Sequence, residues 1–264
     1  MKKNGKGEWL RMAKLFVFSD CHGFFDELKA ALDEAGFDPN NEEHFVVSCG
    51  DNFDRGDQPV EVMHYLRSLP RKILVKGNHE DLLVECAERG YAFGHDFSNG
   101  TAKTIWTIGD MGAGRTFEEC CNVTLSKTHM FIDSMVDYFE TKNYIFVHAW
   151  IPVINKDGLP AYYTRNRSFE FNPDWRNASK RDWEDARWGN PFDMAARGLK
   201  PEKTVVFGHW ATEHQWAKDE GRKDFDDNAK FDIYYGDGII GLDATTALSH
   251  RVNVLVIEDE LIDG

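Results

Sequence analysis

A series of short apolar runs, each ending in a residue able to bind a metal, constrains this chain more than any other feature. Leu15 to Ser19 leads into Asp20-Cys21-His22, and His44 to Cys49 into Gly50-Asp51-Asn52-Phe53-Asp54-Arg55-Gly56. Lys72 to Lys76 runs into Gly77-Asn78-His79-Glu80, Tyr144 to Val147 stops at His148, and Thr204 to Phe207 leads to Gly208-His209. Runs this short and rich in Val, Ile and Phe read as buried strands. Open α/β sheets gather ligands beyond the carboxyl ends of their strands. The pattern therefore predicts a sheet carrying Asp20, His22, Asp51, Asn78, His148 and His209 to one edge.

The segments between these runs predict helices. Phe24, Leu28, Ala31, Leu32 and Ala35 fall at helical spacing, with Gly36 as a stop; Gln58 to Leu69 repeats the pattern with Pro59 in the first turn, and Asp81 to Arg89 gives a third helix. Strands alternating with helices imply βαβ units in a mainly parallel sheet. Ser98 to Glu140 is helical in character, interrupted at Gly109, Gly112 and Gly114. From Trp150 to Pro201 periodicity fades into a segment rich in Trp, Pro and Arg, read either as a functional wall or lid or as a packed insertion. Lys218 to Lys230 is a charged run expected to form a solvated hairpin or mobile loop, and Ile239 to Leu242 and Val252 to Ile257 are expected to complete the core as strands.

At 264 residues the chain suits one domain, here expected over 14–264 behind a flexible arm at 1–13, with the irregular insertion at about 150–201. Met12 is an alternative translational start. No apolar stretch approaches the roughly 20 residues a membrane span needs, and Met1 to Leu10 lacks a signal-peptide core. A cytoplasmic protein without membrane contact is expected. Cys21, Cys49, Cys86, Cys120 and Cys121 lack CxxC spacing and are expected to stay reduced. The net charge of -14 excludes a general nucleic-acid binder but not an anionic substrate, because bound metals and nearby arginines reverse the potential locally.

The chemistry lies in the combination of residues. Asp20 and His22 alternate along an extended segment and would face one ion together. Asp51, with two carboxylate oxygens, can bridge two ions, while Asn78 offers a carbonyl oxygen and His148 and His209 offer imidazole nitrogens. A mixed oxygen and nitrogen set favours Mn²⁺, Fe or Zn²⁺ over Ca²⁺. Two ions about 3.5 Å apart can hold a hydroxide for in-line attack on phosphorus. His79 is placed to protonate the leaving oxygen, Asp54 to fix its tautomer, and Arg55 to grip phosphate with a bidentate fork. His44, His64, His95, His129, His214 and His250 carry no assigned chemistry, and Cys21 is read as a buried spacer.

Asp-x-His-Gly, Gly-Asp-x-x-Asp-Arg-Gly, Gly-Asn-His-Glu, His-Ala and Gly-His, in this order, resemble the signature of the calcineurin-like metallophosphoesterases. The match is nearest the phosphoprotein phosphatase branch, with bacterial and bacteriophage Ser/Thr phosphatases and symmetrical diadenosine tetraphosphatases, and extends from about Lys14 to the C-terminus. The resemblance implies an α/β fold of two packed sheets flanked by helices, in α/β/β/α layers. It assigns Asp20, His22 and Asp51 to one metal, Asp51, Asn78, His148 and His209 to the other, His79 as acid and Asp54 as its partner. Ser19, Cys21 and Trp210 depart from the usual residues without removing a ligand. Gly241-Leu242-Asp243 resembles a terminal Gly-x-Asp strand, with Asp243 as structural support. Arg187 resembles the second phosphate-binding arginine loosely, with Arg165, Arg167 and Arg181 as competitors.

The leading expectation is a metal-dependent phosphatase of phosphoserine or phosphothreonine in proteins. Hydrolysis of diadenosine tetraphosphate or another nucleotide anhydride is the alternative enzyme reading, and an inactive scaffold used for binding is the other class. Retention of Asp54, Arg55 and His79 beside the ligands counts against a scaffold.

Overall fold

A computed structural model of the chain describes residues 2–3, 9–10, 12–156 and 168–261. The strands β1 (Lys2–Lys3) and β2 (Trp9–Leu10) pair antiparallel at the start. Three strand–loop–helix units follow: β3 (Met12–Phe18) with α1 (Phe25–Glu34), β4 (His44–Ser48) with α2 (Pro59–Ser68), and β5 (Lys72–Leu74) with α3 (Asn78–Arg89). Helices α4 (Gly94–Asn99), α5 (Thr101–Gly109) and α6 (Phe117–Asp133) lead to β6 (Phe139–Glu140) and β7 (Tyr144–Phe146). The next stretch carries β8 (Ile154–Asn155), β9 (Phe169–Glu170), α7 (Lys180–Ala186) and α8 (Pro191–Ala196). The chain closes with β10 (Thr204–Phe207), α9 (Thr212–Glu220), β11 (Tyr234–Gly236), β12 (Ile239–Gly241), α10 (Thr246–Ser249) and β13 (Leu255–Glu260).

Two sheets form the centre. One has the order β13-β3-β4-β5 and the other β11-β12-β10-β7-β6. Within each, the strands that precede site loops are parallel: β3 with β4, β4 with β5, and β7 with β10. Their carboxyl ends consequently lie at one edge. The edge strands β13, β11 and β6 run antiparallel to their neighbours.

Side-chain alternation explains the layering. On β3, Leu15 and Val17 turn toward the other sheet, as Val47 does on β4, and share a core with Phe146, Val206, Ile240 and Leu242. Phe16 and Phe18 turn the opposite way onto the helices, beside Leu28, Leu32, Val62, Leu66, Leu83 and Ile105. On β10, Val206 faces the shared core while Val205 and Phe207 face a second outer core with Trp150, Trp175, Trp183 and Phe192. Burying one such side chain contributes about 1.5–3 kcal/mol, so reversing the register of β3 would be strongly opposed. This is the expected arrangement of two packed sheets with helices outside.

Several local expectations change. Met12 and Ala13, within the span expected to be an arm, open β3, because Ala13 is buried in the inter-sheet core. Helix α3 begins at Asn78 rather than Asp81, with the Glu80 side chain capping the Gly77 backbone. Phe139–Glu140, expected at the end of a helical stretch, is a strand paired to β7. The irregular segment contains α7 and α8, each opened by a polar cap, Ser179 and Asn190, too short to register as periodicity. The charged run from Lys218 begins as the last turn of α9, and its remainder is fastened by buried Glu213, which accepts N–H groups from Phe225 and Lys230 and pairs with Arg222. All five cysteines are free and buried. Among the described residues, no helix is long and apolar enough to cross a membrane.

Candidate active site

The loops at the carboxyl edge are held in costly backbone conformations. Asp20, His22, Asp51, Asp54, Arg55 and His209 all have φ between 44° and 73°. Non-glycine residues avoid this region, and its clustering here marks a site over-determined by its surroundings. The expectation that Asp20 and His22 share a side through strand alternation is therefore corrected: both lie beyond β3, and left-handed turns bring His22 Nε2 to 3.8 Å from Asp20 Oδ1. Gly208 allows the two sheets to meet here, since a Cβ on it would lie 2.0 Å from Asp20 Oδ2.

Asp51 stands at the centre. Its Oδ2 lies 3.7 Å from His22 Nε2 and 3.8 Å from His79 Nε2, and its Oδ1 lies 3.3 Å from His148 Nε2. Two clusters of donors result, His22 with Asp51 and His79, and Asp51 with His148 and His209; within each, the donor atoms are all within 4.8 Å of one another. Asn78 joins the second through its Oδ1, 2.7 Å from His148 Nε2. Asp20 flanks the first, with Oδ2 accepting the His209 backbone N–H at 2.9 Å. His79 thus sits closer to the first cluster than a residue reserved for acid chemistry was expected to.

Hydrogen bonds fix the ring tautomers in a way that suits cations. His22 Nδ1 donates to the Phe53 carbonyl at 2.8 Å, and its Nε2 is buried without a hydrogen-bond partner among the described residues. His148 Nδ1 likewise donates to the Cys49 carbonyl at 2.8 Å, leaving the Nε2 lone pair aimed at Asn78 Oδ1 and Asp51 Oδ1. Lone pairs facing lone pairs in a dry site repel unless a cation lies between them. The residues present therefore fit two divalent ions.

The charge states agree. Burial pushes the imidazoles of His22, His148 and His209 below their ordinary range, that of His209 to about 3. Burial opposes ionisation of Asp51, yet the surrounding imidazoles His148, His79, His22 and His209 outweigh it and hold this carboxyl low. Burial, reinforced by the charges of Asp243 and Asp51, raises Asp20 well above the carboxylate range. A concentrated, dry set of acidic groups of this kind is relieved by bound cations.

His79 differs from the other imidazoles. Burial would lower its pKa, but the charge of Asp51 and the hydrogen bond to Asp54 raise it. Its Nδ1 lies 2.7 Å from Asp54 Oδ2, and its Nε2 is 3.4 Å from the exposed Arg55 guanidinium. Arg187 is buried; its Nη2 bonds Asp137 at 2.9 Å, its Nη1 lies 3.4 Å from Asp81, and among the described residues Nε and Nη1 have no hydrogen-bond partner. Arg181 lies on the rim of a cavity of about 470 Å³ among Trp150, Phe169 and Met194, and Arg165 and Arg167 lie outside the described residues. Most of the expected aromatic wall is core: Trp150, Trp175 and Trp183 are buried, whereas Trp188 and Trp210 place their rings 6.1 Å and 6.2 Å from the His209 ring.

Sequence reasoning passed over several supporting residues. Glu80 accepts N–H bonds from Asp51, Asn52 and Gly77, tying two ligand loops together. Thr246 Oγ1 donates to the Asp20 carbonyl at 2.8 Å. Asp243, expected as structural support, accepts the Thr245 N–H at 2.7 Å. Of Glu80 and Thr246, Glu80 has a local signal, its place three residues after Gly77 at a helix start.

Two adjoining donor clusters sharing one carboxylate, with a histidine–carboxylate pair beside them, are geometry consistent with metallophosphoesterase catalysis. The profile of the family described as calcineurin-like phosphoesterase matches residues 13–236, and the chain belongs to that family. Among similar proteins, a symmetrical bis(5'-nucleosyl)-tetraphosphatase of Serratia proteamaculans is 39% identical over 66 residues, 25% of this chain and 23% of that protein. Serine/threonine-protein phosphatase 2 of Escherichia coli is 36% identical over 76 residues, 29% of this chain and 34% of that protein. The chain thus spans about a quarter to a third of the length of these relatives. A crystal structure of a putative diadenosine tetraphosphatase superposes with a TM-score of 0.52 at 16% identity, covering 96% of this chain and 95% of the other, a likeness of fold.

Proposed function

We propose that the chain is a dinuclear metal-dependent phosphomonoesterase acting on phosphoserine or phosphothreonine in proteins. The buried pair of His79 and Asp54, 2.7 Å apart, carries this reading. A serine or threonine oxygen leaves phosphorus as an alkoxide and needs a proton, whereas a nucleotide anhydride expels a phosphate that does not. An imidazole with a raised pKa, backed by a carboxylate, suits the first task.

Asp20, His22, Asp51, Asn78, His148 and His209 would hold the ions, with Mn²⁺ as the first choice and Fe or Zn²⁺ as alternatives, the mixed donor set favouring all three over Ca²⁺. When bound, the ions supply charge neutralisation at the phosphoryl group and an acidified water. Arg55 binds a phosphoryl oxygen from the solvent side, and Arg187, held in place through Nη2 by Asp137 and Nη1 by Asp81, supplies a further donor through Nε. His79 Nε2 delivers the proton to the leaving oxygen while Asp54 holds Nδ1.

Hydrolysis of diadenosine tetraphosphate or another nucleotide is the second reading, favoured by Trp188 and Trp210 beside His209, where a base could stack. The test is kcat/KM for a phosphothreonine peptide against diadenosine tetraphosphate, with Mn²⁺ supplied. A ratio well above one supports the protein phosphatase; a ratio well below one makes this a nucleotide hydrolase. His79→Asn should lower turnover of the peptide by on the order of 10²-fold, and of an aryl phosphate by less. Equal losses would remove His79 as the acid.

A further inference from the structure

We propose that Thr101, at the first position of α5, is a positioning residue for proton delivery, acting by fixing the orientation of the Asp54 carboxylate against His79. The proposal rests on the reading of His79 as the general acid. Thr101 Oγ1 donates to Asp54 Oδ2 at 2.7 Å, and this same oxygen receives His79 Nδ1 at 2.7 Å. The other oxygen, Oδ1, is buried without a hydrogen-bond partner among the described residues. Everything that orients this carboxylate through its own oxygens therefore acts at Oδ2.

The rest of the turn secures the backbone beneath. The Asp54 N–H donates to Thr104 Oγ1 at 3.0 Å, and Lys103 Nζ donates to the Arg55 carbonyl at 3.0 Å. Gly100, at φ 90°, lets α5 approach so closely that a Cβ there would lie 2.3 Å from the Arg55 nitrogen. Asp54 and Arg55 hold φ of 73° and 60°, conformations that persist only when their surroundings impose them. Thr101 and Thr104 are both fully buried, so water does not replace their hydroxyls.

Two donors converging on one oxygen fix the carboxylate plane. Without the Thr101 hydroxyl, the Asp54 carboxylate can turn about its terminal torsion out of line with His79 Nδ1, loosening the imidazole that must meet the leaving oxygen. Thr101 makes no contact with Asp20, His22, Asp51, Asn78, His148 or His209 in the hydrogen-bond network, so phosphate binding is left in place. The effect should fall on kcat rather than KM.

The experiment uses the full chain with Mn²⁺ and compares Thr101→Val, Thr101→Ser and His79→Asn on a phosphothreonine peptide and on p-nitrophenyl phosphate. Thr101→Val should lower kcat for the peptide by roughly tenfold, part of what a general acid contributes, with KM little changed and a smaller loss on the aryl ester. Thr101→Ser should restore the peptide rate to within about twofold. Thr101→Ala makes the same deletion should the valine variant fail to fold. If His79→Asn shows the leaving-group dependence and the Thr101 deletions lose both substrates equally, or serine does not rescue, the positioning role is overturned alone. If His79→Asn itself loses both equally, the general-acid reading falls and this inference with it.

Discussion

Removing the Glu80 carboxylate should disable the site without touching a proposed ligand. Its Oε2 accepts the backbone N–H groups of Asp51 at 3.0 Å and Gly77 at 2.8 Å, and its Oε1 accepts the Asn52 N–H at 2.8 Å and the Asn52 Nδ2 amide at 3.1 Å. Glu80→Ala leaves three backbone donors unsatisfied in a buried region, at about 1–3 kcal/mol each. Water entering the vacated volume returns part of that, so a net loss of about 3–5 kcal/mol is expected. The loops carrying Asp51 and Asn78 would then be free to separate, and supporting residues of this kind typically govern metal affinity by about 10–100-fold. Urea unfolding of the metal-free protein measures the first quantity, and calorimetric titration with Mn²⁺ the second. Glu80→Gln, which keeps one acceptor oxygen, should fall between. An alanine variant that unfolds at the wild-type midpoint and takes up two ions with wild-type affinity would refute the argument that Glu80 ties the loops.

Two further outcomes follow from the geometry. Asp51→Asn should weaken both metal sites, since Asp51 belongs to both donor clusters; two ions bound at wild-type affinity in a titration would rule out a shared ligand. Glu213 is held at about 2 by hydrogen bonds from Arg222 and from backbone N–H groups, against its usual 4.5. A depressed carboxyl adds stability above its unfolded pKa and loses it as pH falls toward the folded one. The difference in melting temperature between wild type and Glu213→Gln should be widest near neutrality and close between about pH 4.5 and 2; a gap independent of pH would contradict the assignment.

The legibility of this chain followed the range of the forces involved. The strand at Thr204–Phe207 was readable to the residue, because a buried strand between polar loops has a local apolar signal. The helix from Asn78 was misplaced by three residues, because its start depends on Glu80 reaching back to Gly77 and across to Asp51. Helices α7 and α8 were missed, being too short for periodicity and stabilised by burial of Trp183, Phe192 and Met194. Tryptophans in that segment looked like a substrate wall, and packing against β7 and β10 made most of them core.

The sequence by itself determined which residue types stand at the ends of which strands, and so the identity of Asp20, His22, Asp51, Asn78, His148 and His209 as candidate ligands, because strand and turn signals are local. Only the tertiary structure decided that Asp51 is shared between two clusters, that His22 presents an Nε2 unpartnered among the described residues, and that α5 holds Asp54 from 47 residues away. Those relations depend on left-handed turns and on close approach of two sheets, and neither leaves a periodic trace along the chain.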